Sequence, residues 1–261
     1  MLQGDVTPLG MAASLILVAA AVALSWWRRL GLERRILWAT ARAIVQLLLV
    51  GVALALVIAP HRSLAWSWLW VVAMTLYAGD VVRRRTPEIP RLMPLAGTAF
   101  AAAAVLTLGI VFGFGIFPIE GRTVVPLAGM MVGNAMNGAV LTARRTVEEL
   151  RDKREEVEVR LALGQPAAAA ARPYLAAALR TALIPQIETT KAVGLVFLPG
   201  AMTGLILAGV DPVDAVLVQA VVMFMVLGAV ATTSAVIGLG LIRRLFTADH
   251  RLAPLPRPAD T

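Results

Sequence analysis

Few residues in this sequence could do chemistry, and they fall into groups. The first group lies in 143–171, which reads ARRTVEELRDKREEVEVRLALGQPAAAAA. Charges of both signs recur there at helical spacing, with Val147, Leu150, Val157, Leu161 and Leu163 between them. That is the pattern of a helix lying in water. It is closed by Gly164 and Pro166, a strong helix terminus. Glu155, Glu158, Arg160, Leu163 and Gly164 are therefore candidates for an exposed helix end that a partner's groove could hold. A plain solvated helical loop is the alternative.

The second group is VVPLAGMMVGNAMNGAVLT, in which Met130, Asn134 and Asn137 share one helical face. Two amides in an apolar span are costly unless satisfied, so they either bond a neighbouring helix or line a polar path. Gly129 and Gly133 make a small-xxx-small pair suited to close helix packing. The third group is TTKAVGLVFLPGAMTGLILAGVDP. Pro199 and Gly200 interrupt an apolar run that also holds Met202, and Gly200 and Gly204 repeat the small-xxx-small spacing. Broken spans line transport paths in some proteins and are packed kinks in others. Just ahead, Glu188 and Lys191 stand three residues apart and can pair on one face. Asp80 is placed to pair with Arg83 or Arg84. Asp211 and Asp214 suit a turn, and with Glu120 they could form an acidic exit vestibule.

These groups sit in a chain of 261 residues that is 59% hydrophobic, with a mean hydropathy of +0.80. A soluble domain is nearer half apolar. Several apolar runs reach the ~20 residues that a bilayer crossing needs. The candidate spans are 8–26, 36–59, 64–82, 95–117, 124–142, 193–210 and 214–242. The expected fold is an all-α integral membrane protein of seven transmembrane helices, one transmembrane domain over 1–245. A long cytoplasmic helical loop, 143–171, separates spans five and six, and 246–261 forms a disordered, proline-rich cytoplasmic tail. A semi-apolar piece follows the loop, from Pro173 to Ile187, and full insertion of it would invert everything after it.

The charges set the expected orientation. Arg28, Arg29, Arg34 and Arg35 fill the first connection, and Arg83, Arg84, Arg85 and Arg91 the third. The long loop and the tail carry most of the rest. The opposite side has Arg62 and Arg122. Basic residues stay on the cytoplasmic side, so the N-terminus is expected outside and the C-terminus inside. The net charge of +8 then reflects topology and contact with lipid head groups rather than nucleic-acid binding. The start MLQGDVTPLG, whose only charged side chain is Asp5, lacks the basic region of a cleavable signal.

Other chemistry is excluded by composition. There are no cysteines and two histidines, so thiolate chemistry and His-rich metal cages are out. Neither lysine, Lys153 or Lys191, follows glycine as a phosphate-binding loop requires. The chain binds no cofactor on this reading, and it is not itself an ATPase. A nucleophile elbow or zinc motif of a membrane enzyme is also missing. A secondary transporter or channel stays open as an alternative, although the spans supply only Arg42 toward an ionisable relay.

Several stretches together resemble one family: QLLLVG at 46–51, VPLAGMMVGNAMNG at 125–138, LALG at 161–164, ALIP at 182–185 and KAVGLVFLPGAMTGLILAG at 191–209, with Gln219 beyond. Over roughly 25–245 the chain is similar to the Fet-type iron-export ABC permeases of bacteria, which are related to plant aluminium-tolerance permeases. EVRLALG also resembles the start of the EAA loop with which ABC permeases pack on their ATPase. Ala201 stands where that family usually has methionine. The resemblance implies a homodimeric permease subunit in the bacterial inner membrane. A separate cytoplasmic ATPase, carrying ATP and magnesium, would dock on 143–171 and drive export of iron, another metal ion or a chelate.

Overall fold

Helical periodicity and apolar runs become helices throughout. The computed structural model describes residues 8–58, 63–89, 91–194, 198–247, 249 and 251–255. Among these residues there are nine helices: α1 (Pro8–Trp27), α2 (Glu33–Val57), α3 (Leu64–Arg85), α4 (Leu92–Gly113), α5 (Gly121–Asp152), α6 (Arg154–Ala162), α7 (Ala167–Ala192), α8 (Gly200–Leu207) and α9 (Pro212–Leu245). No strand is found among them, only an isolated bridge between Phe246 and Leu252. Five helices, α2, α3, α4, α5 and α9, are long and apolar enough to cross a membrane.

The core is built by α3, α4, α5, α7 and α9, which supply nearly all the buried side chains. Small residues set the helix spacing. A Cβ on Gly138 of α5 would lie 2.7 Å from Val230 Cγ1 of α9. A Cβ on Gly238 would meet Leu175 of α7 at 2.6 Å, and one on Gly240 would meet Leu95 of α4 at 2.3 Å. Without a hydrophobic force between helices in lipid, this close backbone approach is what holds them. The contacts also fix direction. Residues 138 and 238 of α5 and α9 approach 230 and 142 of the other helix in rising order, so α5 and α9 run parallel.

One end of the bundle is basic. Arg144 donates to the Arg85 carbonyl through Nε at 3.0 Å and again through Nη2. Arg244 Nη1 donates to the Arg91 carbonyl at 2.6 Å. These guanidinium groups close off carbonyls around the α3–α4 turn, tying it to the ends of α5 and α9. At the opposite end α2 finishes where Ile58 meets Gly121.

Four expectations are revised. The sixth span is not a continuous helix over 193–210: only Gly200–Leu207 is helical. Val193 is extended, Gly194 has φ +85°, and Pro199 caps the short helix. Residues 195–197 lie outside the described residues. Before the break, 173–187 is not a separate piece but the middle of α7, 26 residues long with Pro173 and Pro185 inside it. The fourth span ends early, at Gly113, because Gly115 takes φ +65° and the Ile116 amide returns to the Val111 carbonyl at 3.0 Å, a helix-terminating pattern. Part of the tail expected to be disordered from 246 is instead packed on the bundle. Phe246 and Leu252 are buried, and Ala253 N donates to the Leu245 carbonyl at 2.9 Å. Apolar burial explains the fold-back. Residues 256–261 lie outside the described residues, as do Arg62 and His61.

Candidate functional site

The polar face of α5 opens on a cavity of about 210 Å³ between α5 and α7. Asn134, Asn137, Gln186 and Thr189 provide its polar lining, and Gly138, Pro185 and Val230 are among its walls. Local sequence explains the opening. Pro185 has no N–H to give the Thr181 carbonyl, so the α7 ladder is interrupted beside the cavity. Thr189 Oγ1 turns back to the Pro185 carbonyl at 2.8 Å. Asn134 Nδ2 donates to the Met130 carbonyl at 2.8 Å, which leaves its Oδ1 free to accept. Arg85, on the basic side, points Nη1 at Asn137 Oδ1 across 3.4 Å. Both asparagines are exposed on the bundle surface.

Further along α7, Lys191 Nζ pairs with Glu188 at 2.8 Å. Both side chains are largely exposed, so the pair contributes little to stability. The chain then breaks. Because Pro199 is the N-cap of α8 and offers no side-chain cap, the first amides of α8 face the break. Thr203 stays tied to Pro199, its N and Oγ1 donating to that carbonyl at 3.0 and 3.1 Å. Met202 is buried, and so is Gln219 of α9, whose Oε1 has no hydrogen-bond partner among the described residues. The eight residues of α8 span only ~12 Å, too short to cross a bilayer alone.

The second region is a knob at the basic end. The last turns of α5 run past Arg144, bend at Lys153 and continue as α6. Val157 is fully buried and anchors α6. Glu156 accepts from Lys153 Nζ at 2.9 Å and from Tyr174 Oη at 3.0 Å. The lysine first and the tyrosine second hold its carboxyl below the usual carboxylate range, and Lys153 is raised in return. The Arg160 guanidinium lies 5.9 Å from the Tyr174 ring. The outer face of α6 is left open. Glu155 is exposed, Glu158 is held by Arg154 at 2.7 Å, and Val159 and Leu163 are exposed apolar side chains, Leu163 at 76%. Gly164 ends the helix at φ +84°, and a Cβ there would meet nothing within 4 Å among the described residues.

The structure brings Asn134 and Asn137 into one cavity with Gln186 and Thr189, sets Arg85 against Asn137, and places Met130 one turn from Asn134. It sets Glu188, Lys191, Pro199, Gly200 and Met202 farther along the α7–α8 path. Glu155, Glu158, Arg160, Leu163 and Gly164 come together on the knob. Of the small-xxx-small glycines, Gly129 lies under Met74 of α3, whose Sδ would be 3.8 Å from its Cβ. Gly133, Gly200 and Gly204 meet nothing within 4 Å among the described residues. The glycines that do pack helices, Gly138, Gly238 and Gly240, are not singled out by spacing. Nor are Gln186 and Thr189, whose signal is their i, i+3 spacing beside Pro185. Asp80 pairs with Arg83 at 2.5 Å and Arg84 at 2.6 Å. Asp211 caps α9 by accepting from Val213 N at 2.8 Å, and Glu120 caps α5 in a capping box. These capping duties account for two members of the expected vestibule. Among the described residues no group of three or more His, Asp or Glu side chains could hold a metal ion.

Five apolar helices of spanning length, a basic end and an amide-lined cavity between α5 and a broken helix define a multi-pass helical membrane protein. The chain belongs to the family described as "Uncharacterised protein family (UPF0014)", which it matches over residues 8–246. It is 39% identical over 222 residues to UPF0014 membrane protein STAR2 of Oryza sativa subsp. japonica, covering 85% of this chain and 78% of that protein. It is 34% identical to Protein ALUMINUM SENSITIVE 3 of Arabidopsis thaliana, covering 89% and 84%. It is 31% identical over 248 residues to Probable iron export permease protein FetB of Escherichia coli (strain K12), covering 95% of each. No solved structure matches.

Proposed function

We propose that the chain is the membrane permease subunit of an ABC-type exporter, acting as a homodimer with a separate cytoplasmic ATP-binding-cassette ATPase. In a bacterial cell its membrane is the inner one, and its cargo is iron, another metal ion or a metal chelate. The observation that carries this reading is the α6 knob. It is anchored on one side by Val157 and the Glu156–Tyr174 bond, and it is bare on the other, where Val159, Leu163 and Gly164 face outward. Two large apolar side chains one turn apart on an otherwise charged helix suit a contact with a partner's groove. Joined to α5 at the Lys153 bend and anchored on α7, the knob can transmit a push from an ATPase into the helix that carries Asn134 and Asn137.

The proposed topology has seven crossings, with α7 and α8 counted as one broken crossing. The basic end faces the cytoplasm by the positive-inside rule, which puts the N-terminus outside and the knob inside. The relative named as an iron export permease supports the cargo class. The cavity favours a chelate over a bare cation. Its polar lining is amides and a hydroxyl, and Arg85 reaches one of those amides, Asn137. An arginine there raises the energy of a bare divalent ion and lowers that of a carboxylate-bearing complex.

Copurification tests the assembly. Tagged chain expressed with its neighbouring ATP-binding-cassette protein should retain it, and inverted vesicles holding both should take up iron chelate when ATP is supplied. Absence of any ATPase partner, with transport that follows a proton gradient instead, would overturn the reading in favour of a secondary transporter.

A further inference from the structure

α2 carries polar groups that its surroundings do not explain. No residue of α2 is buried. Arg42 and Gln46 are exposed, lie one turn apart on one face, and have no hydrogen-bond or ion-pair partner among the described residues. Arg42 could reach the lipid interface by extending its side chain. Gln46 could not, because it lies 13 residues beyond Glu33, about 20 Å along the helix. An amide at that depth needs a polar partner.

α5 has the complementary problem. Asn134 and Asn137 are exposed, and Asn134 Oδ1 accepts nothing among the described residues. The depths of the two stripes match. α2 and α5 share a level where Ile58 meets Gly121. Arg42 lies 16 residues before Ile58, and Asn137 lies 16 residues after Gly121. Each is therefore about 24 Å from the shared level. By the same count Gln46 falls beside Asn134. Within one chain α2 packs on α1 and touches α3, and α3 stands between it and the α5 face. The chemistry also matches: α2 carries guanidinium and amide N–H donors, and α5 offers Asn134 Oδ1, which accepts nothing among the described residues, and Asn137 Oδ1, which Arg85 approaches at 3.4 Å and which can accept a second bond.

We propose that Arg42 and Gln46 of one copy dock on the Asn134–Asn137 face of a second copy, so that each cavity between α5 and α7 is completed by α2 of its partner. The interface is isologous, as a two-fold dimer requires. It places a cation from the second chain at a cavity already flanked by Arg85. The proposal rests on the homodimer reading above and adds the surface that makes it.

The chain has no cysteines, so cross-linking can read this directly. Gln46→Cys is placed in a copy with one tag and Asn134→Cys in a copy with another, and the two are coexpressed. Oxidation in native membranes should join the two tags, because only chains with Cα atoms within about 7 Å can be bridged. Arg42→Cys with Asn137→Cys is a second pair, should the first fail to fold. Leu48→Cys, on the opposite side of α2, should give at least tenfold less product with Asn134→Cys. Native mass spectrometry of the unmodified protein counts copies per particle. Cross-linking through Leu48→Cys but not Gln46→Cys would overturn the proposal. So would dimers in which neither pair is joined, although these would leave the homodimer reading standing. Particles of one copy would overturn both.

Discussion

α2 and α9 are both long, apolar and 25 residues or more, yet they are used in opposite ways. α9 buries fifteen of its residues against α4, α5, α7 and α8. α2 buries none. Composition does not separate them, since both pass as spanning helices. What separates them is the placement of small residues. α9 presents Gly228, Gly238 and Gly240 to neighbouring side chains, whereas Gly51 of α2 faces open space. A helix with small residues aimed at partners is pulled into the bundle. One without them is left to lipid or to another chain.

The largest expected effect breaks this contrast most directly. Gly138→Leu puts a side chain where even a Cβ would lie 2.7 Å from the stiff Val230 and 3.2 Å from Ser234 Oγ. Overpacking of this kind costs about 1–3 kcal/mol or more, and the α5–α9 seam should separate, seen as loss of folded protein in detergent. Gly51→Leu on α2 should change stability by less than about 0.5 kcal/mol. Gly51 is also off the Arg42–Gln46 face, so dimerisation does not alter that expectation. Equal damage from both substitutions would show that α2 is packed as tightly as α9.

The next effect sharpens the contrast between core and knob. Gly164→Arg adds a side chain at a left-handed, exposed position, and Leu163→Glu charges an exposed apolar one. Neither touches the core. ATPase copurification and ATP-driven transport should fall by at least tenfold, with thermal stability of the bundle nearly unchanged in Leu163→Glu and lowered in Gly164→Arg only by the ~1 kcal/mol strain of a side chain at positive φ. Loss of stability in parallel with loss of transport would mean that the knob holds the fold rather than a partner.

A smaller effect is expected at the cavity. Asn137→Leu removes the acceptor that Arg85 approaches and fills part of the 210 Å³ space. Transport of an iron chelate should drop several-fold while ATPase binding persists. Removing the charge instead, by Arg85→Gln, should weaken a carboxylate-bearing chelate more than an uncharged one, read as competition between the two.

Much of this was legible in the sequence because it depended on local pattern. The apolar runs that became α1, α3 and α9 were bounded within about three residues, since twenty apolar residues leave the chain little choice in lipid. The knob was legible because Gly164 and Pro166 end a helix by their own backbone chemistry. The α7–α8 crossing was not. Arg172, Arg180, Pro173 and Pro185 make α7 look unlike a span; its alanines favour a helix, but its place against α5 and α9 is set by contacts that no window of sequence contains. The glycines teach the same lesson. Spacing picks out Gly133, Gly200 and Gly204, but close approach happens at Gly138, Gly238 and Gly240, where the side chains of Val230, Leu175 and Leu95 arrive from distant positions. The amides of Asn134 and Asn137 are identified by type, and their partners Gln186 and Thr189 only by the fold.

The smallest expected effect tests how the knob is anchored. Tyr174→Phe deletes the bond from Tyr174 Oη to Glu156 and leaves the ring under Arg160 in place. Glu156 is exposed, so the loss is modest. Hydrogen exchange of α6 amides should rise by about twofold to fivefold, the range of a solvent-screened charged contact. The pH dependence follows from the direction of the shift. A carboxyl held below its ordinary range favours the folded contact while ionised. That contribution is complete at neutral pH and disappears as acid titrates the group below the usual carboxylate range. Protection of α6 should therefore fall in acid in the wild-type chain. In Tyr174→Phe the acid-dependent part should shrink but persist, because Lys153 is the larger cause of the shift and remains. Lys153→Met should remove most of what is left. If both variants keep the full acid response, the anchor lies with Val157 alone and the ionic contacts are incidental to holding the knob.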